Sequence, residues 1–163
     1  MSATTTMVLR AEPQASDREA IRRLVTSTGV FSPIEIDVAV ELLDERLGKG
    51  PTSGYDFLFA EHDGEVVGYA CFGAIALTQG SFDLYWIAVD KRLHGQGIGR
   101  LLLGRSEQEI ARQGGRRVYI ETSGRVPYEP TRAFYLRCGY EAEAILKDFY
   151  APGDDKYIFS KAV

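Results

Sequence analysis

Residues 87–103 read IAVDKRLHGQGIGRLLL, where the end of an apolar strand leads through three glycines into a run of leucines. The backbone carries no side chain at Gly95, Gly97 and Gly99, just before a predicted helix. The first turn of a helix presents about four unpaired N–H groups and the positive end of the helix dipole. The segment therefore predicts a loop that holds a phosphate group against a helix N-terminus.

The spacing of these glycines separates the loop from the common nucleotide-binding motifs. A P-loop needs Gly-Lys followed by Ser or Thr, but Gly99-Arg100 is followed by Leu101, which excludes that class. A dinucleotide fingerprint needs a third glycine where Leu102 stands and follows the first strand of a chain, so it has little support here. The simpler alternative is a glycine-rich loop that serves only a tight turn.

Hydrophobic periodicity predicts an α/β domain around this loop. A strand at Met7–Arg10 precedes two helices, one from Ser16 to Gly29 with a Ser16–Glu19 capping box and one from Ser32-Pro33 to Gly48. The later elements are a hairpin that turns at Asp63-Gly64, a strand over 81–90, a helix from Ile98 to Gly114, a parallel strand over 116–121, a helix from Pro130 to Gly139, and two strands around residues 152–155. Together they predict a mixed, largely antiparallel central sheet flanked by helices on both faces.

Composition and charge limit the classes of function. A chain of 163 residues, 45% of them apolar, can bury one core, so we expect a single domain over residues 7–163 after a flexible N-terminus at residues 1–6. A formal net charge of −4 argues against nucleic-acid binding and weakly favours a cationic or neutral substrate. Two cysteines and two histidines without ligand spacing give no support for a metal site.

The sequence also indicates the cellular compartment of the protein. It lacks the charged and apolar regions of a signal peptide, and no segment has the length of a membrane span. We therefore expect a soluble cytoplasmic protein with no membrane partner and with reduced thiols at Cys71 and Cys138.

Two segments resemble signatures of the GNAT superfamily of N-acetyltransferases. Residues 87–103 resemble its acetyl-CoA-binding motif, in which Gln or Arg is followed by x-x-G-x-G or x-x-G-x-A after a strand that ends in an apolar residue, Ala and Val. The segment AFYLRCGYE at residues 133–141 resembles the second signature, an apolar-Tyr pair followed by Gly and an aromatic residue. The resemblance extends from about residue 7 to residue 161. It implies the GNAT fold, with acetyl-CoA as cosubstrate and no metal.

The resemblance assigns the contacts to acetyl-CoA residue by residue. The backbone of Ile87, Ala88 and Val89 would pair with the pantetheine arm like an added strand. The pyrophosphate would be held by the backbone amides of the loop, which comprises His94, Gly95, Gln96, Gly97, Ile98, Gly99 and Arg100. His94 stands where the family has Gln or Arg. The chain contains no asparagine, which many members use before the later helix to bind the cofactor, and the candidates to replace it are Ser123 and Thr131.

Attack of an amine on a thioester needs a base for the amine proton and an acid for the departing thiolate. Tyr135 occupies the family's usual acid position, and a phenol and an alkyl thiol both ionise at about pH 8.5 to 10, so proton transfer would be nearly balanced. For the base, Glu121 at the end of its strand resembles that of the protein N-terminal acetyltransferases, and Asp83 resembles the catalytic glutamate of the histone-type members. The alternatives are a packed tyrosine and strand-end carboxylates that are solvated or that bind a cationic amine.

The acceptor site is the part that the sequence describes least. A backbone N–H near Ile87 would meet the oxyanion where the strand over 81–90 diverges from its neighbour. Aromatic side chains are candidates to line the acceptor pocket, namely Tyr85, Trp86, Tyr128, Phe149 and Tyr150.

We therefore interpret the chain as an acetyl-CoA-dependent N-acetyltransferase that acts on a primary amine, of a small molecule or a peptide, by direct transfer in a ternary complex. Two alternatives stay open, an acyltransferase that uses another acyl-CoA and a noncatalytic acyl-CoA-binding regulatory domain. Because many members of the family pair, the resemblance also implies a homodimer.

Overall fold

The computed structural model describes residues 6–163, so most of the predicted flexible segment at residues 1–6 lies outside the described residues. Over residues 6–163, seven strands and four helices confirm the predicted α/β class. The strands are β1 Met7–Arg10, β2 Asp56–His62, β3 Glu65–Ala74, β4 Ser81–Val89, β5 Arg117–Ser123, β6 Glu141–Ala151 and β7 Asp154–Ala162. The helices are α1 Asp17–Ser27, α2 Pro33–Lys49, α3 Ile98–Arg112 and α4 Glu129–Arg137.

The strands form one sheet in the order β1-β2-β3-β4-β5-β7-β6. Strands β1 and β2, β2 and β3, β5 and β7, and β6 and β7 pair antiparallel. Strands β4 and β5 are parallel and are connected through α3, which confirms the predicted βαβ unit. The hairpin between β2 and β3 turns at Asp63 and Gly64, as predicted, with His62 opposite Glu65.

The chain falls into two compact units. The first comprises the described residues up to Gly73 together with Trp86–Ser106, and the second comprises Ala74–Tyr85 together with Glu107–Val163. In the first unit, α1 and α2 pack on β2 and β3 around a core that includes Ile21, Leu24, Val25, Leu43, Phe57, Phe59 and Tyr69. Burial of these apolar and aromatic side chains is the main stabilising contribution to this unit.

Helix α3 begins on the opposite face of the strands of the first unit. Successive residues of a strand point to opposite faces, and Tyr69 belongs to the core formed with α1 and α2. Its neighbour Gly68 faces α3, because a Cβ atom at Gly68 would lie 3.0 Å from Leu102 Cδ1 and 3.2 Å from the carbonyl oxygen of Ala88. Helices therefore cover both faces in this unit, which agrees with the prediction.

In the second unit, α4 packs on one face of the strands through its aromatic residues. The ring centroid of Tyr135 lies 5.8 Å from that of Phe159 and 6.0 Å from that of Tyr140. The Tyr140 hydroxyl donates a hydrogen bond of 2.9 Å to Glu107, and the Lys161 ammonium lies 2.9 Å from the other oxygen of the same carboxylate. Tyr140, in the segment after α4, is thus connected through Glu107 to α3 and to Lys161 on β7.

The start of α1 differs from the prediction. Ser16 has helical backbone angles and its side chain makes no capping hydrogen bond, so the predicted capping box is wrong. The buried carboxylate of Asp17 instead accepts two hydrogen bonds from Arg10, of 2.7 and 2.8 Å, and a third from the Gln14 N–H. A buried charge needs such partners, and this tertiary ion pair therefore sets the beginning of the helix.

Helix α2 begins as predicted but ends later. Ser32 and Glu35 form a capping box at its N-terminus. The predicted end at Gly48 is wrong, because the helix continues to Lys49 and is capped by Gly50, whose φ is 65°. Gly50 has a left-handed backbone angle, which favours glycine. Gly48 lies inside the helix, where a glycine only weakens the helix.

We predict opposite effects for alanine at two glycines. A Cβ atom at Gly115 would lie 2.3 Å from Ile110 Cγ2 and 2.9 Å from Phe82, so Gly115→Ala should lower the free energy of unfolding by about 1–3 kcal/mol through overpacking. No described atom lies within 4 Å of a Cβ atom at Gly48, so Gly48→Ala should raise the free energy of unfolding by about 0.5–1 kcal/mol. Urea unfolding measures both. Equal stability of Gly115→Ala and the wild type would contradict the close packing.

Candidate functional site

The turn between β4 and α3 is ordered by Asp90 and His94. The carboxylate of Asp90 accepts hydrogen bonds from the Arg92 backbone N–H, at 3.0 Å, and from its guanidinium, at 2.6 Å. The first of these interactions caps the short turn over residues 91–93. Nε2 of His94 lies 2.8 Å from the carbonyl oxygen of Val89. The side chain of His94 thus connects the loop to the end of β4.

The glycine loop leaves backbone N–H groups exposed at the start of α3. Gly95 and Gly97 have φ angles of 81° and 83°, values that favour glycine and that turn the chain tightly into the helix. The N–H of Leu101 donates to the Gly97 carbonyl oxygen at 3.0 Å as the helix begins. The N–H groups that precede Leu101 have no acceptor within the helix. Most of the loop is exposed to solvent, so these donors and the helix dipole can meet an anion.

Buried side chains fix the position of this helix start. Ile98 is buried at the first position of α3, and Leu102 follows one turn later on the same face. Gly68 of β3 permits their close approach, as the contacts to Leu102 and Ala88 show. Gly68 was missed by the sequence analysis. The signal that could have found it is a single glycine inside an apolar strand, which often marks a close contact between backbones.

Two carboxylates and a lysine share one face of the second unit. Asp83 of β4 is opposite Tyr119 in the parallel register with β5, and Glu121 lies two residues further on the same face. The ammonium group of Lys156, on β7, lies 2.8 Å from Glu121 Oε2 and 4.1 Å from the ring centroid of Phe149. Lys156 was not among the residues singled out from the sequence, because its proximity depends on the register of β5 with β7.

The two carboxylates differ in environment. Asp83 is partly buried, and its burial raises the pKa of its carboxyl group, as does the nearby charge of Glu121, while Lys156 acts in the opposite direction. The side chain of Glu121 is half exposed and is paired with Lys156. Strand β5 continues beyond Glu121 to Ser123, so the predicted strand end at this carboxylate is wrong.

The paired register of β4 and β5 is shorter than either strand. It runs from Ser81 opposite Arg117 to Leu84 opposite Ile120. Glu121 follows immediately after the last pair on β5, and the strand goes on to Ser123. The carboxylate of Glu121 therefore stands where the pairing with β4 has ended.

Tyr135 lies on the other face of the same strands. It is buried, and its ring packs on Phe159, which is opposite Ile120 in the register of β5 with β7. Since residues 120 and 121 point to opposite faces, Tyr135 is separated from the carboxylate face by the sheet. Burial raises the pKa of the Tyr135 hydroxyl. Transfer of this proton to a thiolate is therefore less favourable than the nearly balanced transfer predicted from the free phenol.

The other candidates occupy different environments. The hydroxyl of Ser123 donates a hydrogen bond to Asp154 and accepts one from the Arg125 N–H, so it is engaged within its own loop. Trp86 is partly buried and packs edge-on against Phe31, beside the core of the first unit. Three of the other aromatic residues, Tyr85, Phe149 and Tyr150, are exposed, whereas Tyr128 is buried.

Comparisons with known proteins agree with this architecture. The model of the acetyltransferase (GNAT) family matches residues 11–140. A GNAT-family protein from Desulfovibrio desulfuricans has a similar structure, with a TM-score of 0.94 and 46% identity over 96% of this chain and 99% of that one. An uncharacterised N-acetyltransferase of Methanocaldococcus jannaschii is 34% identical over 108 residues, which are 64% of this chain and 65% of that protein. The aligned part of the chain thus spans slightly less than two thirds of the archaeal relative.

A more distant structure shows the same fold with a ligand. The PaiA N-acetyltransferase from Thermoplasma acidophilum, solved in complex with coenzyme A, has a TM-score of 0.76 and 18% identity over 97% of this chain and 99% of that one. The sheet order, the glycine loop after β4 and the family match define the class of this protein. The chain belongs to the acetyltransferase (GNAT) family, which places it among the acyltransferase enzymes.

Two further properties follow from the described part of the chain. No helix within residues 6–163 is long and apolar enough to cross a membrane. Within the same residues, no cluster of three or more His, Cys, Asp or Glu side chains is arranged to hold a metal ion.

Asp90 provides a pH-dependent test of the turn that leads into the glycine loop. Hydrogen bonds from Arg92 lower the pKa of Asp90 from 3.8 to about 2. Its contribution to stability is therefore complete above about pH 4 and is lost as the pH falls toward 2. We expect Asp90→Asn to lower the Tm at pH 7, and the difference from the wild type to shrink as the pH falls from 4 to 2.

The matched control is Asp37→Asn, because the ion pair of Asp37 with Arg22 is exposed and should contribute little at any pH. Thermal unfolding followed by circular dichroism gives both comparisons. A constant difference between wild type and Asp90→Asn from pH 7 to pH 2 would contradict the assigned role of Asp90.

Proposed function

We propose that the protein is an N-acetyltransferase that transfers the acetyl group of acetyl-CoA to a primary amine of a small molecule or a peptide by direct attack. The observation that carries this proposal is the exposed row of backbone N–H groups at the start of α3, directly after β4. A pyrophosphate is the anionic group of acetyl-CoA that such a helix N-terminus suits. Family membership supports acetyl-CoA as the cosubstrate.

Except for His94, the residues assigned to acetyl-CoA keep the roles that the resemblance implies. The amides from Gly95 to Arg100 are proposed to hold the pyrophosphate, and the backbone of residues 87–89 to pair with the pantetheine arm. His94 acts on this loop indirectly, because its ring nitrogen contacts the Val89 carbonyl oxygen. We infer that His94 supports the end of β4, and that it need not touch the cosubstrate.

Tyr135 is proposed as the acid of the reaction. The amine nitrogen forms a bond to the carbonyl carbon, the carbon–sulfur bond breaks, and the sulfur leaves as a thiolate that must be protonated. The Tyr135 hydroxyl is protonated at neutral pH, as an ordinary phenol is, and can donate its hydrogen to the thiolate; burial raises its pKa and makes this transfer less favourable than for a free phenol. The phenolate then recovers a proton from solvent.

Asp83 is the proposed base, and Glu121 is proposed to tune it. A base with a pKa above the ordinary range of a carboxyl group is better matched to the proton of an amine, and Asp83 has that property through burial and through the charge of Glu121. Glu121 is half exposed and paired with Lys156, which favours a role in positioning or in attracting a cationic acceptor.

The proposal is tested by following the release of CoA from acetyl-CoA with a panel of amino acids, polyamines, aminoglycosides and peptides. We expect turnover with at least one amine and a decrease in kcat of about 10²-fold in Tyr135→Phe, with the affinity for CoA unchanged. Full activity in Tyr135→Phe would contradict the role of the hydroxyl. Turnover only with a longer or charged acyl-CoA would favour the acyltransferase alternative, and binding of CoA without any turnover would favour a regulatory domain.

A second prediction separates Asp83 from Glu121 as the base. Asp83→Asn should lower kcat by about 10²-fold or more, whereas Glu121→Gln should keep most of the activity. The acidic limb of kcat/KM against pH reports the pKa of the base. It should move to lower pH in Glu121→Gln, because a like charge has been removed, and to higher pH in Lys156→Gln. Loss of activity in Glu121→Gln, with activity retained in Asp83→Asn, would make Glu121 the base.

The oligomeric state and the location of the protein stay predictions. The sequence predicts a cytoplasmic protein, and the resemblance predicts a homodimer.

A further inference from the structure

Lys156 is a mostly buried cation on the face of the second unit that carries the proposed base. Its side chain is 12% exposed, and its ammonium group lies 2.8 Å from Glu121 Oε2 and 4.1 Å from the ring centroid of Phe149. A lysine ordinarily keeps its ammonium group in water, so the burial of this one depends on such partners. The charge of Glu121 is therefore already compensated by a side chain of the protein.

An irregularity in β6 holds Lys156 at this position. The register of β6 with β7 is interrupted after Leu146, and Asp148 in the interrupted segment has a φ of 54°. The N–H of Asp148 donates to Asp155 Oδ1 at 2.9 Å, which ties the segment to β7. A bulge of this kind turns a side chain in a new direction, and here the ring of Phe149, the next residue, contacts the ammonium group. The lysine is thus held between the ring and its carboxylate partner.

Asp83 differs from Glu121 because its carboxylate is not compensated. It makes no ion pair within residues 6–163, although the charge of Lys156 acts on it from a distance. Neighbouring strands lie about 4.8 Å apart, so β7, which carries Lys156, lies roughly 10 Å from β4. An acceptor whose ammonium group binds Asp83 and whose chain extends across the sheet therefore meets the Glu121–Lys156 pair.

Apolar side chains lie beside this pair. Ile158 is opposite Glu121 in the register of β5 with β7, and Leu146 is opposite Lys156 in that of β6 with β7. Residues that are opposite one another point to the same face of a sheet. Leu146 is 40% exposed and Phe149 is 52% exposed, so both can contact an apolar group of a ligand. A second ammonium group at this place would lose water without gaining a counter-ion.

We propose that Lys156 determines acceptor specificity by occupying the place of a second ammonium group, so that the enzyme selects amines with one ammonium group joined to an apolar or aromatic group. This inference rests on the proposed function, in which the acceptor amine meets Asp83. Polyamines and aminoglycosides should then be poor acceptors. Discrimination of this kind comes from denying a partner to the wrong ligand as well as from attracting the right one.

The experiment compares acceptors that differ by one ammonium group. The pairs are hexylamine with the linear diamine of the same carbon chain, and phenylethylamine with its aminomethyl derivative. Release of CoA gives kcat/KM for each, at the pH of maximal activity of each variant. The wild type should prefer the monoamine about tenfold, and Lys156→Gln should abolish or reverse this preference, because Glu121 is then free to bind the second ammonium group.

Three further variants test the cause. Lys156→Arg keeps the ion pair and should keep the preference for the monoamine. Glu121→Gln combined with Lys156→Gln removes the counter-ion of a second ammonium group as well, so the preference should return. Arg137→Gln removes a positive charge from the last turn of α4, on the other face of the sheet, and should leave the ratio of the two kcat/KM values unchanged.

The outcomes separate this inference from the proposed function. Absence of turnover with every amine would overturn the proposed function itself. A wild type that prefers the diamines, or an unchanged ratio in Lys156→Gln, would overturn only the role of Lys156. Improved use of diamines that persists in the double variant would also overturn it, because Glu121 would then not be the partner. If the amine panel identifies a different acceptor, the same ratio is measured with that amine and its derivative with one more ammonium group.

Discussion

The close contact between β3 and α3 at Gly68 is the constraint on which the cofactor loop depends. A side chain at this position would meet Leu102 of the helix and the backbone of Ala88 on β4. Because the helix can come this close, Ile98 is buried at its first position and the loop before it must turn within a few residues. The glycines of the loop satisfy that requirement, and the helix start is left with N–H groups that face solvent.

The polar groups of the protein divide into those with a protein partner and those without one. Asp17, Asp90 and Glu107 are all engaged in hydrogen bonds with basic or hydroxyl side chains of the chain. Within residues 6–163, the amides that begin α3 have no acceptor in the helix, and the buried hydroxyls of Tyr69 and Thr122 have no hydrogen-bond partner. The amides at the start of α3 lie at an exposed helix N-terminus and can meet an anion, whereas an unpartnered hydroxyl inside the core does not by itself indicate a ligand.

Much of the fold could be predicted from local pattern. The Asp63-Gly64 turn, the βαβ unit and the limits of α4 depend on turn chemistry, alternation and capping, which neighbouring residues determine. The two errors at α1 and α2 have different causes. Arg10 overrides the capping box at Ser16 through an ion pair with Asp17, a contact between separate elements. At the end of α2, Gly48 and Gly50 look alike in sequence, and only the backbone angle distinguishes them.

The sequence by itself determined the loop, the aromatic residue of α4 and the family to which the chain belongs, because motif spacing and helix termini are encoded within short segments. The tertiary structure decided the environment of each side chain. Pairing of β5 with β7 brings Lys156 to Glu121, burial raises the pKa of Asp83 and of Tyr135, and the sheet places the tyrosine and the carboxylates on opposite faces. These properties depend on register and desolvation, which arise only when distant segments pack together.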